Sequence, residues 1–144
     1  MTRELVRYAQ AFLKSPMPAP MFVREVDGIR YEVLAVEAPF QVERVVAPAH
    51  VPVPRHRHAT LDALEIYERG SLTIHVADRP IPVESGPPRK GLGGHKALLI
   101  PRNTMHGPGM TGPDGFSFLS IQAHEGIPEV VPGCPHRMWP VDHT

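Results

Sequence analysis

The sequence has little cysteine, with Cys134 alone among 144 residues. A single cysteine excludes a disulfide within the chain and a zinc cluster built on several thiolates, and it fits a reducing cytoplasm. No apolar run approaches the roughly 18 residues that a transmembrane helix needs. The first residues also lack the apolar core and cleavage signature of a secretory signal. We therefore expect a cytoplasmic protein that does not contact a membrane.

An excess of charge of one sign is absent as well, because 15 Lys and Arg balance 15 Asp and Glu. Proteins that bind nucleic acid commonly carry a basic patch or a helix-turn-helix pattern, and the sequence shows neither. A nucleic-acid partner is therefore not expected. The length suits one ordinary domain with its own core. We predict a single domain over residues 1–144, with a core at about 22–124.

Proline, in contrast, is abundant at 18 residues. A proline inside a helix costs about 3 kcal/mol, so this content is incompatible with a helical bundle. Only residues 3–14 predict a helix, since their apolar side chains share one face and Ser15-Pro16 ends the pattern. The proline-rich segment 127–144 predicts an extended tail that packs over the rest of the domain.

The remaining pattern is that of β-strands. Asp27-Gly28 is a strong hairpin signal between two strand-like runs. Short strands separated by turns indicate an all-β sandwich or barrel. The predicted strands are residues 22–26, 30–37, 40–47, 64–68, 72–76, 97–100 and 116–123.

Three histidines are the most informative feature of the chain. His56 and His58 are two residues apart, so on a strand both imidazoles point to the same side. His106 follows a later strand-like run and can complete one face of a coordination sphere. Neutral imidazoles bind Zn, Fe, Ni or Cu, so three that converge predict a transition-metal centre with open positions. The alternative is that all three are ordinary surface or core histidines.

Two spaced motifs resemble those of the cupins, which are small β-barrels that bind metal. The first is HxH followed at fixed spacing by Glu and Gly, and His56, His58 and Gly70 match it. The second is Pro, a turn residue and His, matched by Pro101 and His106. Asn103 replaces the usual Gly there, and Asn tolerates the left-handed backbone of such a turn. The resemblance implies a cupin β-barrel (jelly-roll sandwich) with one short N-terminal helix.

The chain departs from the cupin pattern at the acidic ligand. The family's Glu falls on Ala63, which cannot bind metal. Asp62 should face the opposite side of the strand, whereas Glu65 shares the face of position 63. We therefore expect His56, His58 and His106 to hold one divalent ion, with any fourth ligand from elsewhere. Zinc is the expected ion and iron is the alternative.

The last predicted strand supplies further candidates for the cavity. Ser120, Gln122 and His124 share one of its faces, and in three-histidine cupins this strand carries polar groups beside the metal. Tyr67 shares the face of Glu65. We assign Ser120, Gln122 and Tyr67 to the substrate pocket. A core aromatic is the alternative for Tyr67, and a solvated strand end is the alternative for His124.

Among cupins, the chain resembles the small single-domain aromatic polyketide cyclases of the resistomycin cyclase type. That resemblance implies a poly-β-ketone substrate, possibly presented by an acyl carrier protein, that is folded over a zinc-like centre. An aldol condensation and loss of water would follow. His124 and Glu65 are the candidates for proton transfer, with the ion polarising a carbonyl. Cupins often exchange edge strands, which implies a homodimer.

Two other functions stay open at this point. Three imidazoles also suit an Fe(II) dioxygenase that cleaves a diketone or oxidises a thiol, because they leave positions for substrate and O₂. A cupin that only binds a small ligand, without catalysis, is the third possibility. Metal analysis and oxygen uptake discriminate between the cyclase and the dioxygenase.

Overall fold

The computed structural model describes residues 2–53, 55–84, 96–107, 109–125 and 141–142. The described residues form one helix and thirteen strands. These elements are α1 (Thr2–Lys14), β1 (Phe22–Val26), β2 (Ile29–Glu37), β3 (Phe40–Ala47), β4 (Pro52–Val53), β5 (Arg57–His58), β6 (Leu61–Arg69), β7 (Ser71–Val76), β8 (Arg79–Glu84), β9 (Ala97–Ile100), β10 (His106–Gly107), β11 (Gly109–Met110), β12 (Phe116–His124) and β13 (Val141–Asp142). The predicted all-β class with one N-terminal helix is confirmed.

The strands form two main antiparallel sheets. The larger has six strands in the order β1-β2-β3-β12-β6-β9, and the smaller has the order β10-β7-β8. Two short pairs, β11-β4 and β13-β5, complete the described part of the fold. Side chains from both main sheets line one internal cavity. The two sheets therefore enclose the cavity between them, as in a jelly roll.

Helix α1 covers the outer face of the six-stranded sheet. Its buried residues Leu5 and Ala9 pack in one apolar cluster with Val42 of β3 and Leu119 of β12. Burial of such side chains contributes about 1.5–3 kcal/mol each for Leu or Val. Tyr8 stacks on Phe40 with ring centroids 4.5 Å apart. The centre of this sheet is thus buried on both faces, which is why nearly every residue of β12 is buried although its apolar and polar side chains alternate.

The register of the central strands decides which polar groups reach the interior. Ser120 of β12 lies opposite Glu43 on β3 and opposite Glu65 on β6. Gln122 lies one pleat further, opposite Ala63 on β6. Because side chains alternate between faces, the outer face takes Asp62, which accepts a hydrogen bond from the Arg102 amide at 2.8 Å.

Strand β8 was not predicted, because it contains Pro80 and Pro82. Neither residue can donate a backbone hydrogen bond, so proline argues against a central strand. Both lie on β8, which is the last strand of its sheet in the described structure and pairs only with β7 there. An edge strand needs donors on one side only, which reconciles these prolines with strand structure.

Two segments fall largely outside the described residues. They are the glycine- and proline-rich stretch 84–95 and the predicted tail 127–144. Of the tail, residues 141–142 form β13, which pairs with β5 so that Val141 lies opposite His58. None of the described helices is long and apolar enough to span a membrane.

Candidate metal centre

The structure brings His56, His58 and His106 together. Their potential ligand nitrogens all lie within 4.8 Å of one another. The backbone sets this arrangement, since His56 and His106 exchange two N–H···O bonds of 2.8 Å across an antiparallel bridge. The three histidines that the sequence singled out are therefore neighbours in the fold and could hold one metal ion.

The tautomer of His106 suits a metal ligand. Its Nδ1 lies 2.8 Å from the carbonyl oxygen of Thr104 and donates to it, which leaves the lone pair on Nε2. That Nε2 is buried and has no hydrogen-bond partner among the described residues. Burial also lowers the pKa of His106, which favours the neutral ring. A neutral imidazole with a buried, unused lone pair fits a bound divalent ion.

The turn before His106 also positions His58. Asn103 donates its backbone N–H to the carbonyl oxygen of His58 at 2.7 Å. Asn103 has a φ of 62°, so the expected left-handed backbone at this position is confirmed. Gly70 of the first motif has a φ of 86°, and a Cβ there would meet the backbone of Gly115. Both turn residues are thus explained by backbone geometry.

The carboxyl group of Glu65 lies close to His106. Its Oε2 lies 3.8 Å from His106 Nε2, and Tyr67 donates its hydroxyl to Oε1 at 3.0 Å. Metal–ligand bonds of about 2.0–2.2 Å place two ligands of a tetrahedral ion roughly 3.4 Å apart. Glu65 can therefore supply a fourth ligand after a small movement. Ala63 instead packs in an apolar cluster with Val33 and Leu61.

Burial dominates the electrostatics of Glu65. Removal from water raises its pKa, while the Tyr67 hydrogen bond and the proximity of His56 oppose that rise. The same burial, followed by the Glu65 charge, raises the pKa of Tyr67. Tyr67 also packs against Phe116 and Phe118, with ring centroids 5.6 and 6.2 Å away. It therefore serves both as an aromatic core residue and as the hydrogen-bond partner that orients Glu65.

The histidines border an internal cavity of about 70 Å³. Its wall is largely apolar, with a few polar groups that include Ser120 and Gln122. Its lining residues are Ile29, Tyr31, Glu43, Val45, Ala47, Val53, His56, His58, Glu65, Ile74, His106, Gly107, Phe116, Phe118, Ser120 and Gln122. An apolar wall with few convergent polar groups is typical of a small-molecule site.

His124 lies at the end of the polar row on β12. Its Nε2 is 3.0 Å from Gln122 Oε1, and Gln122 donates to Ser120 Oγ at 3.1 Å. Only 6% of His124 is exposed, so the alternative of a solvated strand end is wrong. Gln122 borders the cavity and separates His124 from it. The structure therefore places His124 behind the wall, where it orients Gln122.

Sequence reasoning missed two ionisable cavity residues, Glu43 and Tyr31. Glu43 is fully buried on β3, and burial raises its pKa to about 8, although the nearby Gln122 amide offsets part of the shift. Tyr31 on β2 lines the same cavity, and burial and then the charge of Glu43 raise its pKa to about 12. The strand Gln41 to Ala47 mixes polar and apolar residues on both faces, so its pattern did not show which side was internal.

The buried state of His124 predicts a loss of stability in acid. Burial lowers its pKa to about 4, from about 6.5 in the unfolded chain. Between these values the unfolded state binds more protons, so the free energy of unfolding falls as pH falls. From pH 7 to pH 5 the contribution is about 2 kcal/mol. Urea unfolding at both pH values should show a smaller acid loss for His124→Gln than for the wild type, and equal losses would contradict this.

Several solved structures share this architecture. KdgF from Halomonas sp. superposes with a TM-score of 0.59 at 16% identity, covering 71% of this chain and 84% of that one. The Schizosaccharomyces pombe Cnp3 cupin domain gives 0.57 at 14%, covering 71% and 67%. This chain has the cupin fold. The Streptomyces nucleoside dehydratase Pac13 gives 0.55 at 13%, covering 85% and 82%.

No protein-family model and no curated protein sequence matches the chain. The solved cupins that resemble it include both Pac13, a dehydratase, and Cnp3, described as a cupin domain. At identities of 13–16%, this structural similarity shows the fold alone. The reaction has to be inferred from the residues of this cavity.

Proposed function

We propose that this cupin is a metal-dependent enzyme that cyclises a poly-β-ketone by a redox-neutral aldol condensation followed by loss of water, as an aromatic polyketide cyclase does. The observation that carries this proposal is the convergence of three imidazoles beside the buried carboxyl of Glu65, on a mainly apolar cavity. Enol and ketone chemistry needs a carbonyl to be polarised and protons to be moved, and these groups supply both.

The residues that would hold the ion are His56, His58 and His106, with Glu65 in reach as a fourth ligand. Zinc is the proposed ion, and when bound it would act as a Lewis acid on a carbonyl oxygen. The aromatic rings of Phe116 and Phe118 and the side chain of Ile74 exclude water from the adjoining wall. Such a wall suits a flat, conjugated substrate.

The cavity volume limits how a substrate is held. About 70 Å³ is far below the roughly 300–1,000 Å³ of pockets that enclose a drug-sized ligand. A poly-β-ketone would therefore place one reacting 1,3-diketone unit inside, with the rest of its chain outside. This arrangement is compatible with a substrate that stays attached to an acyl carrier protein. We retain a homodimer, formed through edge strands, as part of the proposal.

Proton transfer in this scheme involves Glu65, whose Oε1 is fixed by the Tyr67 hydroxyl at 3.0 Å. His124 contributes at one remove, because it holds Gln122 and through it Ser120. The loss of water has support from the neighbour Pac13, a nucleoside dehydratase built on the same fold. A barrel of this kind can therefore carry redox-neutral dehydration.

The test is turnover of a synthetic poly-β-ketone thioester by the metal-loaded protein in air and under nitrogen. We expect equal rates, and a product whose mass is lower by whole water molecules, because aldol condensation and dehydration consume no oxidant. A strict requirement for O₂, with oxygen gained by the product, would reject the cyclase and favour the three-histidine dioxygenase. If the protein turns over the substrate neither in air nor under nitrogen, the remaining interpretation is a cupin that binds a ligand without catalysis.

A further inference from the structure

A second carboxyl group lies within the cavity, apart from the histidines. Glu43 is 0% exposed, and neither of its oxygens has a hydrogen bond of regular geometry among the described residues, although the Gln122 amide lies close enough to lower its pKa. It nevertheless borders the cavity. Removing a carboxylate from water is unfavourable, so burial favours the neutral acid. Glu43 therefore keeps hydrogen-bonding capacity for a group that enters the cavity beside Gln122.

The strand register sets the distance between Glu43 and the metal centre. Glu43, Ser120 and Glu65 form one row across β3, β12 and β6. Neighbouring strands are about 4.8 Å apart, so the backbones of the two glutamates are separated by about 10 Å. Glu65 is committed to the histidine side by its 3.8 Å approach to His106. A substrate carbonyl group in the cavity can therefore have the metal centre on one side and Glu43 on the other.

We propose that Glu43 is a catalytic acid of this enzyme, which donates its proton to the oxygen of the acceptor carbonyl during the aldol step. The inference rests on the proposed cyclase function. As the new carbon–carbon bond forms, the carbonyl π bond breaks and its oxygen takes the proton of Glu43 to become a hydroxyl group. The enol O–H of the nucleophile gives its proton to the other oxygen of Glu43. The acid is thereby regenerated, and no oxidant or external base is consumed.

The surroundings of Glu43 support this role. The ionisable groups that face the same cavity are Tyr31 on β2, Glu65 on β6 and the three histidines. Burial holds the pKa of Glu43 at about 8, so at pH 7 it is protonated and close to the range in which an acid both gives and recovers a proton. Above that range it ionises and ceases to donate. The cyclisation rate should therefore fall on the alkaline side with a midpoint near 8.

The first experiment measures protonation without reference to any substrate. The infrared carbonyl band of protonated carboxylic acids is followed from pH 5 to pH 10 in the zinc-loaded protein. We expect a component with a midpoint near 8 that disappears in Glu43→Gln and persists in Glu84→Gln. Glu84 is a matched control, because it is a buried carboxyl on β8 that does not line the cavity. Absence of this component from the wild type would overturn the proposal.

The second experiment is the pH–rate profile of cyclisation. Glu43→Gln should lower kcat on the order of 10²- to 10⁴-fold and remove the alkaline limb, while Glu84→Gln keeps both. Glu43→Asp retains an acid and should recover part of kcat, which covers the case in which the Gln variant fails to fold. Wild-type kcat in a folded Glu43→Gln would overturn the inference and leave the cyclase intact. If the wild type does not cyclise the thioester, the proposed function fails, and the infrared titration alone decides whether Glu43 is a neutral acid.

Discussion

Replacing His58 with alanine is expected to reduce the bound divalent ion from about one per chain to a small fraction. His58 supplies one of three imidazoles whose nitrogens lie within 4.8 Å of one another, and two remaining ligands hold an ion far less well. The residue is part of the short strand β5 and is half-buried, so its truncation leaves the sheets in place. The measurement is metal content after gel filtration, with circular dichroism as the check on folding.

His75→Ala is the matched control for this prediction. His75 belongs to β7 and lies opposite Gly107, and it is not a member of the histidine cluster. We expect it to retain the full complement of metal and the wild-type affinity. A folded His58→Ala protein that still carries one ion per chain would show that the ion is held elsewhere.

Replacing Glu65 with glutamine should lower turnover on the order of 10²- to 10⁴-fold and weaken metal binding. The change is nearly isosteric, yet it removes the carboxylate that approaches His106 Nε2 to 3.8 Å. It also leaves an amide that cannot transfer a proton in the same way. Zinc affinity and kcat, measured on the same preparations, separate the two contributions.

Tyr67→Phe provides a graded comparison with Glu65→Gln. It deletes the hydroxyl that donates to Glu65 Oε1 and keeps the ring that packs on Phe116. We expect an intermediate loss of kcat, because Glu65 remains but is less well oriented. If Glu65→Gln matched the wild type in both zinc affinity and kcat, Glu65 would have no role in the site.

Much of the fold could be predicted because its local signals agree. The helix at residues 3–14 and the strands at 22–26, 40–47 and 97–100 reappear with nearly the same bounds. Asp27-Gly28 and Asn103 have positive φ values, as their turn chemistry requires. Strand β8 was missed because Pro80 and Pro82 are typical of turns, and only the sheet order shows that they lie on an edge.

The site was predictable where it depended on spacing and less so where it depended on packing. His56 and His58 share a strand face at any register, whereas the contact of Glu65 with His106 depends on how two distant segments meet. His124 was assigned to the cavity by strand face alone, whereas in the structure it hydrogen-bonds to Gln122 and is not among the residues that line the cavity. Glu43 was not predicted as a cavity residue. Helix α1 also buries the outer face of β3, so this strand lacks the alternation of apolar and polar residues that would identify its inner face.

The most direct test of the central claim is X-ray absorption at the edge of the metal that copurifies with the wild-type protein, together with anomalous scattering from its crystals. We expect one ion, zinc, at the point faced by His56, His58 and His106, with three imidazole nitrogens at about 2.0–2.1 Å. A protein that does not bind one metal ion per chain, or an anomalous peak away from these histidines, would contradict the assignment of the three histidines as metal ligands.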